Sequence, residues 1–161
     1  WATNGCQGRR PNVINSLYLD PVQEELLNMK LAAKYEQMKR EEIRFEEYRT
    51  DRQYQVLLVA YGTTARICKT AIQRLSQEGI EVALLRPITL FPFPEQKVYE
   101  LAQKADWAMS VEMSTGQMLE DVKLAVGRTR PVYFFGRTGG IVPTPEEVQQ
   151  AVKRHIAGNE A

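Results

Sequence analysis

The chain has few of the residues that usually announce chemistry. Its 161 residues include one histidine and two cysteines. Cys6 and Cys68 form no CxxC pair and no metal-ligand spacing, which leaves no iron–sulfur or zinc motif and no metal site to propose. So few cysteines fit a reduced, cytoplasmic setting. His155 has no Ser, Cys or Asp context that would make a catalytic triad. Neither GxxxxGK[ST] nor GxGxxG occurs, so the two common phosphate-binding fingerprints are missing. Charge of one sign is also missing: 21 Lys and Arg stand against 20 Asp and Glu, a net charge of +1. That balance supplies no field for nucleic acid or an acidic membrane. No apolar run approaches the roughly 20 residues that span a bilayer, and no signal segment opens the chain. The start, Trp1-Ala2-Thr3, lacks Met and reads as part of something longer or as a processed product.

What remains is a well-punctuated α/β pattern. Hydrophobic residues make up 43% of the chain, enough for one core of ordinary size. Residues 1–19 are irregular and read as the tail of a preceding domain plus a linker. Asp20-Pro21-Val22-Gln23 opens a connecting helix over 20–41, with Asp20 at the N-cap and Pro21 at N1. Leu27, Leu31, Tyr35 and Met38 give that helix one apolar stripe. It is either packed on the domain surface or a spacer between domains. The third domain segment is 42–161.

Ile43–Arg49 alternates apolar and charged residues and reads as a short edge strand guarded by charge. Tyr54–Tyr61 is apolar nearly throughout, as expected of a strand buried on both faces of a parallel sheet. Gly62 permits a tight exit, and Thr63 is placed to cap a helix over Thr63–Glu78 that stops at Gly79. Strand Glu81–Leu85, helix Pro94–Ala105, strand Trp107–Glu112, helix Thr115–Val126 and strand Val132–Phe135 follow. Ser114 and Gln117 make a plausible capping pair for the fourth helix. Thr144-Pro145-Glu146-Glu147 is a capping box opening a last helix to Ile156. Successive β–α units with short links predict a three-layer αβα sandwich. Its sheet is mostly parallel and five-stranded, with one antiparallel edge strand.

In such a fold, ligands gather at the carboxyl ends of the strands. Three loops converge there: Gly62-Thr63-Thr64, Glu112-Met113-Ser114-Thr115-Gly116 and Gly136–Gly140. The first two open helices and could face an anion with free N–H groups. Gly62, Thr63, Thr64, Ser114, Thr115 and Gly116 are therefore the candidates for a crevice facing an anion or coenzyme A, against the alternative of ordinary satisfied turns. Glu112 is a lone acid at the end of a buried strand, suited to capping a loop or facing a partner. No complete catalytic set is present, so no catalytic residue is named. His155 suits the negative end of the last helix. Cys68 reads as a small packed hydrophobe. Phe91-Pro92-Phe93-Pro94 puts two rings on a stiff loop, as core lids or as anchors of a subunit interface.

RPNVINSLYLDP, RFEEYRTD, VLLVAYGTTAR, LLRPITLFPFP, SVEMSTGQMLEDV and YFFGRTGGIVPTPEE together resemble the C-terminal part of the α subunit of 2-oxoacid:ferredoxin oxidoreductases. The 2-ketoisovalerate (branched-chain) type is the most similar and the 2-oxoglutarate type next. The resemblance runs over essentially the whole chain. It implies a transketolase C-terminal-like domain over Arg44–Gly158, with the strand from Tyr54 central. It also implies a parent complex that oxidatively decarboxylates a 2-oxoacid on thiamin diphosphate and magnesium. That complex transfers the acyl group to coenzyme A and passes electrons through iron–sulfur clusters to ferredoxin. This segment would bind none of those cofactors itself and would be structural. It would contact other subunits or domains of the complex, with a homodimer left open, and no nucleic acid or membrane. Two other readings are an independent nucleotide- or acyl-carrier-binding Rossmann-like module and an interaction domain docking through its charged helix.

Overall fold

The computed structural model describes residues 5–158. The expected tail over 1–19 and the domain over 42–161 therefore lie partly outside the described residues, at 1–4 and 159–161. The described residues fall into two units, one up to Met38 and one from Lys39 onward. Helix α1 (Pro21–Glu41) starts as expected: the Gln23 N–H donates to Oδ1 of Asp20 at 2.9 Å. It buries none of its residues, and Val22, Leu26, Met29 and Tyr35 are exposed.

The second unit alternates strands and helices: β1 (Phe45–Tyr48), β2 (Val56–Ala60), α2 (Gly62–Gln77), β3 (Val82–Pro87), α3 (Glu95–Ala102), β4 (Trp107–Glu112), α4 (Gln117–Val126), β5 (Val132–Gly136) and α5 (Pro145–Ile156). The sheet order is β1-β3-β2-β4-β5. Strands β2 to β5 are parallel and β1 pairs antiparallel with β3, matching the predicted class. Strand β2 is central, and the chain leaves it first toward β3 and later toward β4. This makes the β2/β4 boundary a topological switch point.

Side-chain alternation splits the core in two. Val56, Leu58 and Ala60 join Leu84, Met109 and Val111 on the face covered by α2 and α5. Leu57 and Val59 join Ala83, Leu85 and Ala108 on the face covered by α3 and α4. A strand with both faces buried favours apolar residues on both, and VLLVA carries no polar residue. Each fully buried Leu on these faces contributes about 1.5–3 kcal/mol of transfer free energy.

Strand ends shift by one or two residues, and three helix boundaries shift with a readable cause. Helix α2 begins at Gly62 with Tyr61 as N-cap, so Thr63 lies inside the first turn and caps nothing. Gly62, at φ +56°, turns the chain directly out of the extended Tyr61. Helix α3 ends at Ala102 rather than Ala105. Beyond it, the N–H groups of Lys104 and Ala105 donate to carbonyls three residues back, the tighter bonding of a turn. Helix α4 begins at Gln117 rather than Thr115, with Gly116 as N-cap. The expected Ser114–Gln117 pair does not form, because the Ser114 hydroxyl donates to Glu112 and the Gln117 amide to Thr115. The capping box of α5 is present as expected: Thr144 Oγ1 accepts from the Glu147 N–H, and Oε2 of Glu147 accepts from the Thr144 N–H.

Candidate functional site

The strand ends present three loops, two of which open helices, and side chains decide which of them stay open. At the end of β4, Glu112 is wholly buried. Its Oε1 accepts from the Ser110 hydroxyl at 2.8 Å and the Leu119 N–H at 2.8 Å. Its Oε2 accepts from the Ser114 hydroxyl at 2.7 Å and the Met118 N–H at 3.0 Å. A buried carboxylate needs such partners, and here two are N–H groups from the first turn of α4 and two are the hydroxyls of Ser110 and Ser114. The chain's own carboxylate therefore sits where an anion would sit at this helix end. Of the candidates Ser114, Thr115 and Gly116, the first is committed to Glu112 and the second to Gln117.

The β5 loop is closed in another way. The backbone N–H of Arg137 donates to the Glu112 carbonyl at 3.1 Å, and the Arg137 guanidinium pairs with Glu147 at 3.3 Å. Gly136 has no room for a side chain: an added Cβ would overlap the Phe134 ring and lie 2.7 Å from the Ser114 carbonyl.

The β2 loop differs. Tyr61 gives no side chain to the first turn of α2, and beyond the chain neighbours and the helix's own backbone no atom lies within 4 Å of where a Cβ on Gly62 would stand. The buried Thr64 turns its hydroxyl back to the Tyr61 carbonyl at 2.6 Å, while Thr63 is exposed. Beside Gly62 lies a cavity of about 100 Å³ lined by Gly62, Ala65, Arg66, Lys69 and Arg86. Lys69 and Arg86 share Glu46, the Arg86 pair at 3.0 Å. The hydrogen bond from Lys69 is the strongest influence holding the Glu46 carboxyl below the usual range; desolvation opposes it and Arg86 reinforces it. Structure thus brings Gly62 together with three cations that were not singled out from sequence. Arg66 and Lys69 follow Gly62 by four and seven residues, a helix-face signal that could have been read. Arg86 could not, since it meets Glu46 only through the β1–β3 register.

Other residues singled out find plainer places. Phe93 is buried in the α3/α4 core, whereas Phe91 is 58% exposed, so the two rings of the Pro-rich loop divide between core and surface. Leu90, Phe91 and Pro92 border a second cavity of about 410 Å³ that also includes Asp121. Burial first, then Glu95, Glu112 and Glu120, pushes the Asp121 carboxyl up. His155 stacks on Tyr133 with ring centroids 4.0 Å apart, and its Nδ1 is buried without a hydrogen-bond partner. Cys68 is fully buried, and desolvation pushes its thiol up. Among the described residues, no group of His, Cys, Asp or Glu could hold a metal ion, and no helix is long and apolar enough to cross a membrane.

Residues 55–148 match the family model for the pyruvate:ferredoxin oxidoreductase core domain II. The chain belongs to this family. The matched stretch of core domain II runs from the strand before Gly62 into α5 and so contains all three loops. Over 158 residues, 98% of the chain, it is 40% identical to the ketoisovalerate oxidoreductase subunit VorB of Methanothermobacter marburgensis, covering 44% of that protein. It is also 37% identical over 82 residues to the 2-oxoglutarate synthase subunit KorA of Archaeoglobus fulgidus, covering 50% of this chain and 24% of that one. The core domain II chain thus spans less than half the length of the relatives it matches. Two solved structures share its fold. One is the 2-oxoglutarate:ferredoxin oxidoreductase from Magnetococcus marinus with 2-oxoglutarate, coenzyme A and succinyl-CoA bound (TM-score 0.71, 23% identity, 86% of this chain and 24% of that one). The other is an inactive β4 tetramer of a split-gene transketolase (TM-score 0.59, 19% identity, 68% of this chain and 40% of that one). The α/β fold with one antiparallel strand is therefore transketolase-like.

Proposed function

We propose that this core domain II serves in a subunit of a thiamin diphosphate-dependent 2-oxoacid:ferredoxin oxidoreductase acting on a branched-chain 2-oxoacid in the cytoplasm. The 40% identity to VorB along 98% of the chain carries the reading. The decarboxylation, the thiamin diphosphate with its magnesium and the iron–sulfur clusters belong, in this proposal, to the rest of the complex. Ferredoxin and the other subunits are its partners. The domain itself, over residues 42–161, is structural. Exposed apolar side chains at the strand ends support that role: Ile88, Leu90 and Phe91 after β3, Met113 after β4, and Ile141 and Val142 after β5. Such residues, set along one edge of the sheet, suit contact with neighbouring domains.

The test is a chimera in which this chain replaces the matching segment of M. marburgensis VorB. The expected result is an assembled complex that reduces ferredoxin with 2-ketoisovalerate and coenzyme A and keeps its preference over pyruvate and 2-oxoglutarate. A chimera that assembles with a new preference overturns the structural role. One that does not assemble, although the chain is folded, overturns the placement in this subunit type.

A second reading, in which the crevice at Gly62, Thr63 and Thr64 faces coenzyme A or another anion, is supported by the open end of α2 and the cations beside it. Ser114, Thr115 and Gly116 complete that crevice only if Glu112 gives up its bonds. Calorimetric titration of the chain with coenzyme A, with thiamin diphosphate plus magnesium as control, tests it. Heat with coenzyme A alone supports the crevice, and no heat with either compound removes it.

A further inference from the structure

We propose that the cavity between α2 and the β1–β3 edge is a binding site for a tetrahedral oxyanion, the phosphate group of a ligand or free phosphate. The inference rests on the reading of the Gly62 end as anion-facing, and it adds the side chains and the ligand class.

The side chains carry the argument. Three of the five lining residues are cationic (Arg66, Lys69 and Arg86), and no acidic residue lines the cavity. Glu46 answers two of these charges, Lys69 and Arg86, and among the described residues Arg66 makes no salt bridge, which leaves one cation at the cavity for an added anion. Arg86 gives Glu46 only Nη1, and its Nε is buried with no hydrogen-bond partner. The open first turn of α2 adds N–H donors and the positive end of a 16-residue helix.

Size decides the class. At about 100 Å³ the cavity has room for one small anion, and a larger phosphorylated ligand would place its phosphate here and extend outward.

The test uses the whole chain at low ionic strength, with inorganic phosphate and adenosine 3′,5′-bisphosphate as probes, followed by calorimetry and thermal unfolding. Both variants are melted first without phosphate. Arg66→Ala removes an exposed side chain without disturbing Glu46, so its fold is retained. Its expected effect is a loss of about tenfold in phosphate affinity, as for one charge-assisted hydrogen bond. Arg86→Gln, read only if its melting temperature is retained, is expected to act in the same direction. Bisphosphate binding tenfold tighter than phosphate identifies a larger phosphorylated ligand, and equal binding identifies free phosphate. No binding of either probe overturns the proposal, as does binding that Arg66→Ala leaves unchanged. Coenzyme A heat that Arg66→Ala leaves unchanged, with no phosphate binding, would overturn this cavity and leave the anion-facing reading of the Gly62 end standing.

Discussion

Leu119 donates its backbone N–H to Oε1 of Glu112 at 2.8 Å, across seven residues of sequence and the whole turn between β4 and α4. With Ser110, Ser114 and Met118 completing the set, both carboxylate oxygens accept two hydrogen bonds each. The lone acid that sequence suited to capping a loop or facing a partner thus satisfies the first-turn N–H groups of its own following helix.

Replacing Glu112 with Gln keeps the volume but turns one acceptor into a donor facing donors. The expected loss is about 2–4 kcal/mol, the scale of a buried charged group losing its partners. Urea unfolding of Glu112→Gln with an unchanged m-value measures it. A loss under about 0.5 kcal/mol, the range of ordinary surface substitutions, would show that the cap contributes little.

Gly136 cannot accept even a methyl group. An alanine there meets the Phe134 ring and the Ser114 carbonyl, and overpacking of this kind costs about 1–3 kcal/mol. Trimming the ring in Phe134→Ala/Gly136→Ala should recover only part of that cost, because the carbonyl remains. Full recovery in the double variant would place the whole conflict in the ring.

Tyr54 is buried and donates its hydroxyl to the Leu101 carbonyl at 2.8 Å. Desolvation first, then the charge of Glu47, pushes its phenol up to about 12. A raised phenol pKa means that the folded state holds the proton longer than the unfolded chain, where the value is about 10. The stability from this group is therefore complete below pH 10 and declines as pH rises from 10 toward 12. Tyr54→Phe should be about 1 kcal/mol less stable at neutral pH and should lose stability less steeply across that alkaline window. Parallel denaturation curves for the two proteins from pH 9 to 11.5 would show whether the slopes differ; equal slopes remove Tyr54 as the source.

The two cysteines should separate by reactivity. Cys6 is exposed, whereas burial keeps Cys68 in its thiol form and out of reach. A disulfide-exchange reagent should titrate one thiol in the native protein and two in denaturant. Rapid reaction of both without denaturant would mean that α2 opens readily.

The sequence by itself determined the layers, because the information is local. The unbroken apolar run of β2, the alternation in β1 and the Thr144–Glu147 capping box each signal an element within a few residues, whereas the central place of β2 came only from the family resemblance. Family membership was equally legible, since its motifs stand as continuous words such as RPITLFPFP. Only the tertiary structure decided which strand-end loop stays open. Gly62–Thr64 and Ser114–Gly116 look alike in sequence, yet Glu112 fills the second, and nothing local distinguishes a carboxylate that turns toward its own helix from one that faces outward. The Arg66, Lys69 and Arg86 cavity depends on a register as well: Glu46 meets Arg86 across the antiparallel pair, 40 residues away in sequence. Periodicity encodes which face a residue takes, whereas charge neutralisation between distant elements is settled only when the strands align.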